Sequence, residues 1–157
     1  MKPNLTVYKS SAGSGKTFTL SINYIAICLS NKSKDYFKRI LAITFTNKAA
    51  NEMKDRILSY LKNISEKSID QYILDELKLR TGLNEKEIFE KASIIHSKMI
   101  HNYSDLSIMT IDKFNYQIVR SFSRDFGISN NFEIELDIEK IIEPAIQELL
   151  NKIDHEG

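Results

Sequence analysis

Apolar residues recur at near-helical spacing from Lys16 to about Ser30, at Phe18, Leu20, Ile22, Ile25, Ala26 and Leu29, and Asn31 with Ser33 ends the run. That spacing predicts an amphipathic helix. Ahead of it, Leu5, Thr6, Val7 and Tyr8 read as a short strand that runs straight into a small-residue loop over residues 9–15. Ile40, Leu41, Ala42, Ile43, Thr44 and Phe45 make a near-continuous apolar run of strand length, the pattern of a parallel strand covered on both faces. A second helix is predicted from near Asn47, with Ala49, Ala50, Met53, Ile57, Leu58 and Leu61 in one stripe and charged residues opposite.

Residues 65–100 read as helical, with a break at Thr81, Gly82 and Leu83 and a new start at Asn84, where Glu87 three positions later completes a capping-box pattern. Leu106, Ser107, Ile108, Met109 and Thr110 then predict a third strand, and Asp112 is the expected N-cap of a helix through about Arg124. Residues 127–131 read as a loop and 138–153 as a last amphipathic helix. This order predicts an α/β fold, a parallel sheet flanked by helices, with a helical insertion at about 65–100.

With 157 residues, 42% hydrophobic and 27% charged, the chain can bury one ordinary core, and composition argues against disorder. No stretch approaches the roughly 18 uninterrupted apolar residues of a membrane span, and the N-terminus lacks the apolar core of a secretory signal, so a cytoplasmic protein is expected. The one cysteine, Cys28, lies among Ile25, Ala26, Ile27 and Leu29 and is expected in the core; alone it excludes an internal disulfide or a multi-cysteine metal site. His96 and His101 fall on different faces of a helix and His155 is in the tail, which argues against a histidine metal site. The net charge of +1 hides an asymmetry, +7 over residues 1–60 and −6 over 61–157. A basic N-terminal third can attract the phosphates of a nucleotide or of a nucleic-acid backbone, but solvated surface lysines give the same count.

More specific chemistry lies between the first strand and the first helix. Ser10, Ser11, Ala12, Gly13, Ser14, Gly15, Lys16 and Thr17 fit the phosphate-loop pattern G-x-x-x-x-G-K-[ST] except that Ser10 stands at the first glycine. Gly13 and Gly15 let the backbone fold tightly so that successive N–H groups point at phosphate oxygens. Lys16, the candidate catalytic residue, can set its ammonium on the β- and γ-phosphates, and the Thr17 hydroxyl can bind Mg²⁺. The helix that opens there turns its positive end to the same anion. ATP and Mg²⁺ are therefore the expected ligands. A Gly-Ser connector that binds nothing is the bland alternative.

Three segments together resemble the UvrD/Rep and RecB/AddA group of superfamily 1 DNA helicases. They are residues 11–17 (Ser-Ala-Gly-Ser-Gly-Lys-Thr), residues 41–57 (Leu-Ala-Ile-Thr-Phe-Thr-Asn-Lys-Ala-Ala-Asn-Glu-Met-Lys-Asp-Arg-Ile) and residues 110–114 (Thr-Ile-Asp-Lys-Phe). The resemblance implies a P-loop NTPase fold of RecA-like type and an ATP-driven motor that moves along single-stranded DNA. It implies that Thr44, Phe45, Thr46, Asn47 and Lys48 contact the strand, with Phe45 offering a stacking face and the polar residues reaching phosphates; otherwise Phe45 is core and Asn47 only caps a helix. In the third segment the family usually has Thr-Phe-His-Ser-Phe, where this chain has Asp112 and Lys113. A carboxylate there repels the backbone, so any phosphate contact falls to Thr110 or Lys113, with Asp112 as a cap.

Only nine residues precede Ser10, which leaves no room for the adenine-recognition motif of UvrD-like members and is similar to the RecB/AddA branch, helicase–nuclease subunits of exonuclease V-type repair complexes. That likeness implies, as a partner, a second helicase–nuclease subunit. It divides the chain into residues 1–136, the first part of the ATP-binding domain, and 137–157, the start of an accessory helical subdomain. Hydrolysis also needs an acidic pair after a buried strand. Asp75-Glu76 sits in a helical run between the second and third motifs, and Glu133, Glu135 and Asp137 follow the third motif too closely, so neither is expected to serve. Two other classes stay open: a P-loop small-molecule kinase, which residues 41–57 disfavour, and a non-catalytic nucleotide- or DNA-docking module.

Overall fold

The computed structural model describes residues 5–8, 15–125, 127, 132, 140 and 142–146. They belong to two units, Met1–Ile111 and Asp112–Gly157.

In the first unit the predicted stripes fold as helices. Helix α1 (Lys16–Ser30) buries Ile22, Ile25 and Leu29, with Tyr24, Ala26 and Cys28 beside them, while Leu20 of the predicted stripe stays half-exposed. Strand β1 (Ala42–Thr44) leads into α2 (Asn47–Ser65), which buries Ala50, Met53, Ile57, Leu61 and Ile64 along one face. Helix α3 (Gln71–Thr81) and α4 (Glu85–His101) form the expected helical insertion, and β2 (Ile108–Thr110) follows. Helix α2 packs chiefly on α4, and α1 on α3 and α2. Their apolar faces meet in one core with Phe37 and Ile108. Burying a Leu or Ile side chain of this kind is worth about 1.5–3 kcal/mol each.

The breaks between helices have local causes. Residues 66–70, read from the sequence as part of a helical run, instead turn the chain: Lys67 takes a left-handed φ of 57°, and the amides of Glu66 and Ser68 bond back to the carbonyls of Lys62 and Asn63. These bonds satisfy carbonyls that the end of α2 leaves open. Asp70 then caps α3 by accepting from the amide of Tyr72 at 2.8 Å. Gly82, at φ 69°, closes α3 with its amide on the carbonyl of Lys78. Asn84 and Glu87 form the reciprocal capping box that their spacing predicts.

Strands β1 and β2 are parallel, with Ala42 opposite Ile108, Ile43 opposite Met109 and Thr44 opposite Thr110. Two expectations are corrected here. Residues 5–8 form no strand and are exposed. A strand exists only through its ladder, and among the described residues the two strands pair with each other alone. For the same reason β1 is not covered on both faces: Ile43 is 43% exposed, because α2 lies against one side of this narrow sheet.

Helix α5 (Ile111–Ser121), all but its first residue in the second unit, begins two residues earlier than an N-cap at Asp112 implies. Asp112 therefore lies inside the first helical turn and is not its N-cap; there its charge still complements the positive helix end. Within this unit Ser123 is buried and donates to the carbonyl of Arg120, Tyr116 packs on Phe132 with ring centroids 5.4 Å apart, and 142–146 are helical. The rest of the predicted last helix, most of the 127–131 loop, residues 133–137 and His155 lie outside the described residues.

Candidate nucleotide site and the turn after the first strand

Of the phosphate-loop residues, Gly15, Lys16 and Thr17 are described; Ser10, Ser11, Ala12, Gly13 and Ser14 lie outside the described residues. Gly15 holds φ at 79°, a left-handed backbone that L side chains rarely adopt. A methyl group on Gly15 would meet nothing within 4 Å, so the backbone angle and not crowding calls for glycine here. Its carbonyl accepts the first helical bond, from Thr19 at 2.9 Å, and among the described residues no side chain caps α1. A helix start without a side-chain cap directs its first-turn N–H groups and positive dipole end outward, which suits an anion. Lys16 and Thr17 are exposed at this end. Ser21, buried one turn on, donates to the Thr17 carbonyl at 2.8 Å and fixes that turn from beneath.

A cleft of about 260 Å³ lies against Gly15, Lys16, Thr17, Phe18 and Arg56. Arg56 belongs to the segment 41–57 that carries the family resemblance, but the sequence assigned it no role of its own. The available signal was its place in that segment, four residues before Tyr60 on the same helix.

The turn between β1 and α2 holds the second group of site residues. Thr44 donates its hydroxyl to the carbonyl of Thr46 at 3.1 Å, with the carbonyl of Met109 at 3.4 Å. Thr46 is the N-cap of α2 and accepts from the amide of Ala49 at 3.1 Å. These two threonines build the turn. What the turn presents is Phe45, 87% exposed, followed by Asn47 and Lys48, also exposed in the first turn of α2. The alternative of Phe45 as a core residue is set aside by that exposure, and Asn47 is not the cap. Thr110, opposite Thr44 in the ladder, is buried. Lys113 stands exposed on α5 in the second unit.

Asp75 and Glu76 lie on the surface of α3 with local partners: Gln71 donates to Asp75 at 2.9 Å, and Arg80 holds Glu76 through two nitrogens at 3.0 and 2.8 Å. Arg80 and Glu76 thus form a helix-surface ion pair. His101 bonds the carbonyl of Ser97 one turn back, and no cluster of potential metal ligands occurs among the described residues. No helix among them is long and apolar enough to cross a membrane.

The chain matches the UvrD/REP helicase N-terminal domain family over residues 2–156. It is similar to the RecBCD enzyme subunit RecB of Buchnera aphidicola subsp. Baizongia pistaciae, 34% identical over 134 residues that cover 78% of this chain and 11% of that protein. It is 30% identical over 146 residues to an ATP-dependent helicase/nuclease subunit of Bacillus cytotoxicus, covering 88% of this chain and 10% of the relative. To the protein described as "Probable DNA helicase II homolog" of Mycoplasma genitalium it is 32% identical over 158 residues, covering 94% and 20%. The chain thus spans between 10% and 20% of the length of these relatives. No solved structure matches it.

Proposed function

Because this chain belongs to the UvrD/REP helicase N-terminal domain family, we propose that it is the phosphate-holding half of the ATPase site in a motor that moves along single-stranded DNA, of the exonuclease V-type helicase–nuclease kind. The observation that carries this reading is the start of α1: a left-handed Gly15, with Lys16 and Thr17 exposed at the positive helix end. ATP is held there by residues 10–17, with the Lys16 ammonium on the β- and γ-phosphates and the Thr17 hydroxyl on Mg²⁺. The metal, once bound, neutralises charge that develops on the phosphate oxygens.

Single-stranded DNA is read by the turn after β1. Phe45 stacks on a base, while Asn47, Lys48 and the Thr46 hydroxyl reach phosphates. Thr44 holds the turn in shape and Thr110 supports it through the ladder; Lys113, on α5, is proposed separately as a phosphate contact. The fold is of RecA-like type, with residues 1–136 as the first part of the ATP-binding domain and 137–157 leading into an accessory helical subdomain. The proposed partner is another helicase–nuclease subunit, and the cytoplasm is the proposed location.

These 157 residues bind nucleotide without efficient turnover, since neither Asp75 with Glu76 nor the acids at 133–137 is proposed to orient the attacking water. A phosphate-release assay on the chain, with and without single-stranded DNA, tests this: background rates are expected. Robust DNA-stimulated hydrolysis would contradict it.

A further inference from the structure

We propose that the basic face where α1 ends, made by Lys32, Lys34 and Arg39 with Lys91 of α4 beside them, binds the phosphate backbone of a DNA duplex. This goes beyond the function proposed above and rests on neither the phosphate loop nor Phe45.

The first ground is a concentration of charge. Residues 29–39 carry Lys32, Lys34, Lys38 and Arg39 against Asp35 alone. The side chains bonded to this stretch add Lys91 and Lys98 of α4, and Asp105. Six cations thus stand against two acids in a chain whose whole net charge is +1, so the rest of the molecule is net acidic.

The second ground is which of these cations the fold itself uses. Asp35 holds Lys98 at 2.6 Å, and Asp105 holds Lys38 at 2.8 Å. Helix α1 has no basic residue in its own last turn; Lys91 reaches across from α4 and donates to the Leu29 carbonyl at 2.7 Å. A cation there complements the negative helix end. Both acids and the helix end are therefore served. The side chains of Lys32, Lys34 and Arg39 make no hydrogen bond or ion pair among the described residues. Lys32 and Arg39 are exposed, and Lys34 is half-buried. Burial, and then the Lys91 ammonium beside it, hold the Lys34 amine below its ordinary value. Folding alone favours an acid at position 34, and a bound phosphate supplies that counter-charge.

The third ground is place and chemistry. Helix α1 has 15 residues, so this face lies roughly 22 Å from Lys16 and out of reach of a nucleotide there. It precedes β1, whereas Phe45 follows that strand. The rings within residues 29–39 are Phe37, buried, and Tyr36, half-buried. Cations without an exposed stacking ring suit a backbone whose bases are already paired. Lysine is depleted in protein–protein interfaces and enriched where protein meets DNA, which favours a nucleic acid over an acidic protein.

The test uses the 157-residue protein and a labelled DNA duplex, with binding read by fluorescence anisotropy between about 50 and 200 mM salt. The double variant Lys32→Ala with Lys34→Ala removes two phosphate contacts. Its affinity at low salt should fall about tenfold, and the loss of affinity across the salt range should be about tenfold smaller than in the parent. Lys34→Glu sets a carboxylate beside Lys91, so it should melt no lower than the parent yet bind the duplex about tenfold more weakly. Lys86→Ala, which removes a solvated cation elsewhere on α4, should change neither quantity. Should Lys34→Glu fail to fold, the placement beside Lys91 is contradicted, and the double alanine variant still tests the duplex contact. Duplex affinity and salt dependence equal to the parent's in the double variant would overturn the proposal. So would displacement of the duplex by polyglutamate at equal charge concentration, which would show that the face reads charge without regard to a DNA backbone.

Discussion

Phe18 and Tyr60 meet edge to face, with ring centroids 6.2 Å apart and planes inclined at 79°. Tyr72 of α3 stacks on the same Phe18 at 6.4 Å. One ring, directly after Thr17, thus ties the first turn of α1 to α2 and to the helical insertion. Replacing Tyr60 by Leu keeps apolar bulk but removes the edge contact, and should cost about 0.5–1.5 kcal/mol in urea unfolding. An unfolding midpoint equal to that of the parent would show that the rings do not hold these helices together.

Phe45 presents the opposite case, a large apolar residue that the fold leaves in solvent. Phe45→Ala should change folding stability by less than about 0.5 kcal/mol. The same substitution should weaken binding of a labelled single-stranded oligonucleotide by about 1–3 kcal/mol. The two measurements answer different questions. A large loss of stability would mean that the ring packs after all, and unchanged DNA affinity would mean that no base stacks on it.

Much of this organisation was legible in the sequence, and its limits are physical. Helices α1, α2 and α4 carry long apolar stripes and local punctuation, the capping box of Asn84 with Glu87 and the left-handed Gly82, and local signals suffice for local structure. The strand expected at 5–8 and the double-sided cover expected of β1 depended on ladder partners and opposing layers, which no local pattern encodes. Lys16 and Thr17 could be named as candidates because the phosphate loop is a contiguous motif. The nearness of Arg56 to Lys16 was not legible, because it exists only once Tyr60 has docked on Phe18.

Burial pushes the Cys28 thiol up from 9.0 to about 12, and buried Tyr24 is raised as well, again by burial and then by the nearby Cys28. Both groups are neutral when protonated, and the fold favours that form. Their stabilising effect is therefore complete below their unfolded values and is lost as pH rises toward the folded ones. Stability should decline from about pH 9 upward, and less steeply in Cys28→Ala, when denaturant midpoints are compared across the range. At pH 8 a thiol reagent should modify Cys28 only as the protein unfolds. Rapid labelling of the folded chain would contradict this burial.

The central claim is that the start of α1 holds a nucleoside triphosphate. Calorimetric titration of MgATP into the parent chain and into Lys16→Ala tests it most directly, with circular dichroism to establish that both are folded. The parent should bind and the variant should show no saturable heat; a Lys16→Ala protein that binds MgATP as tightly as the parent would contradict the account.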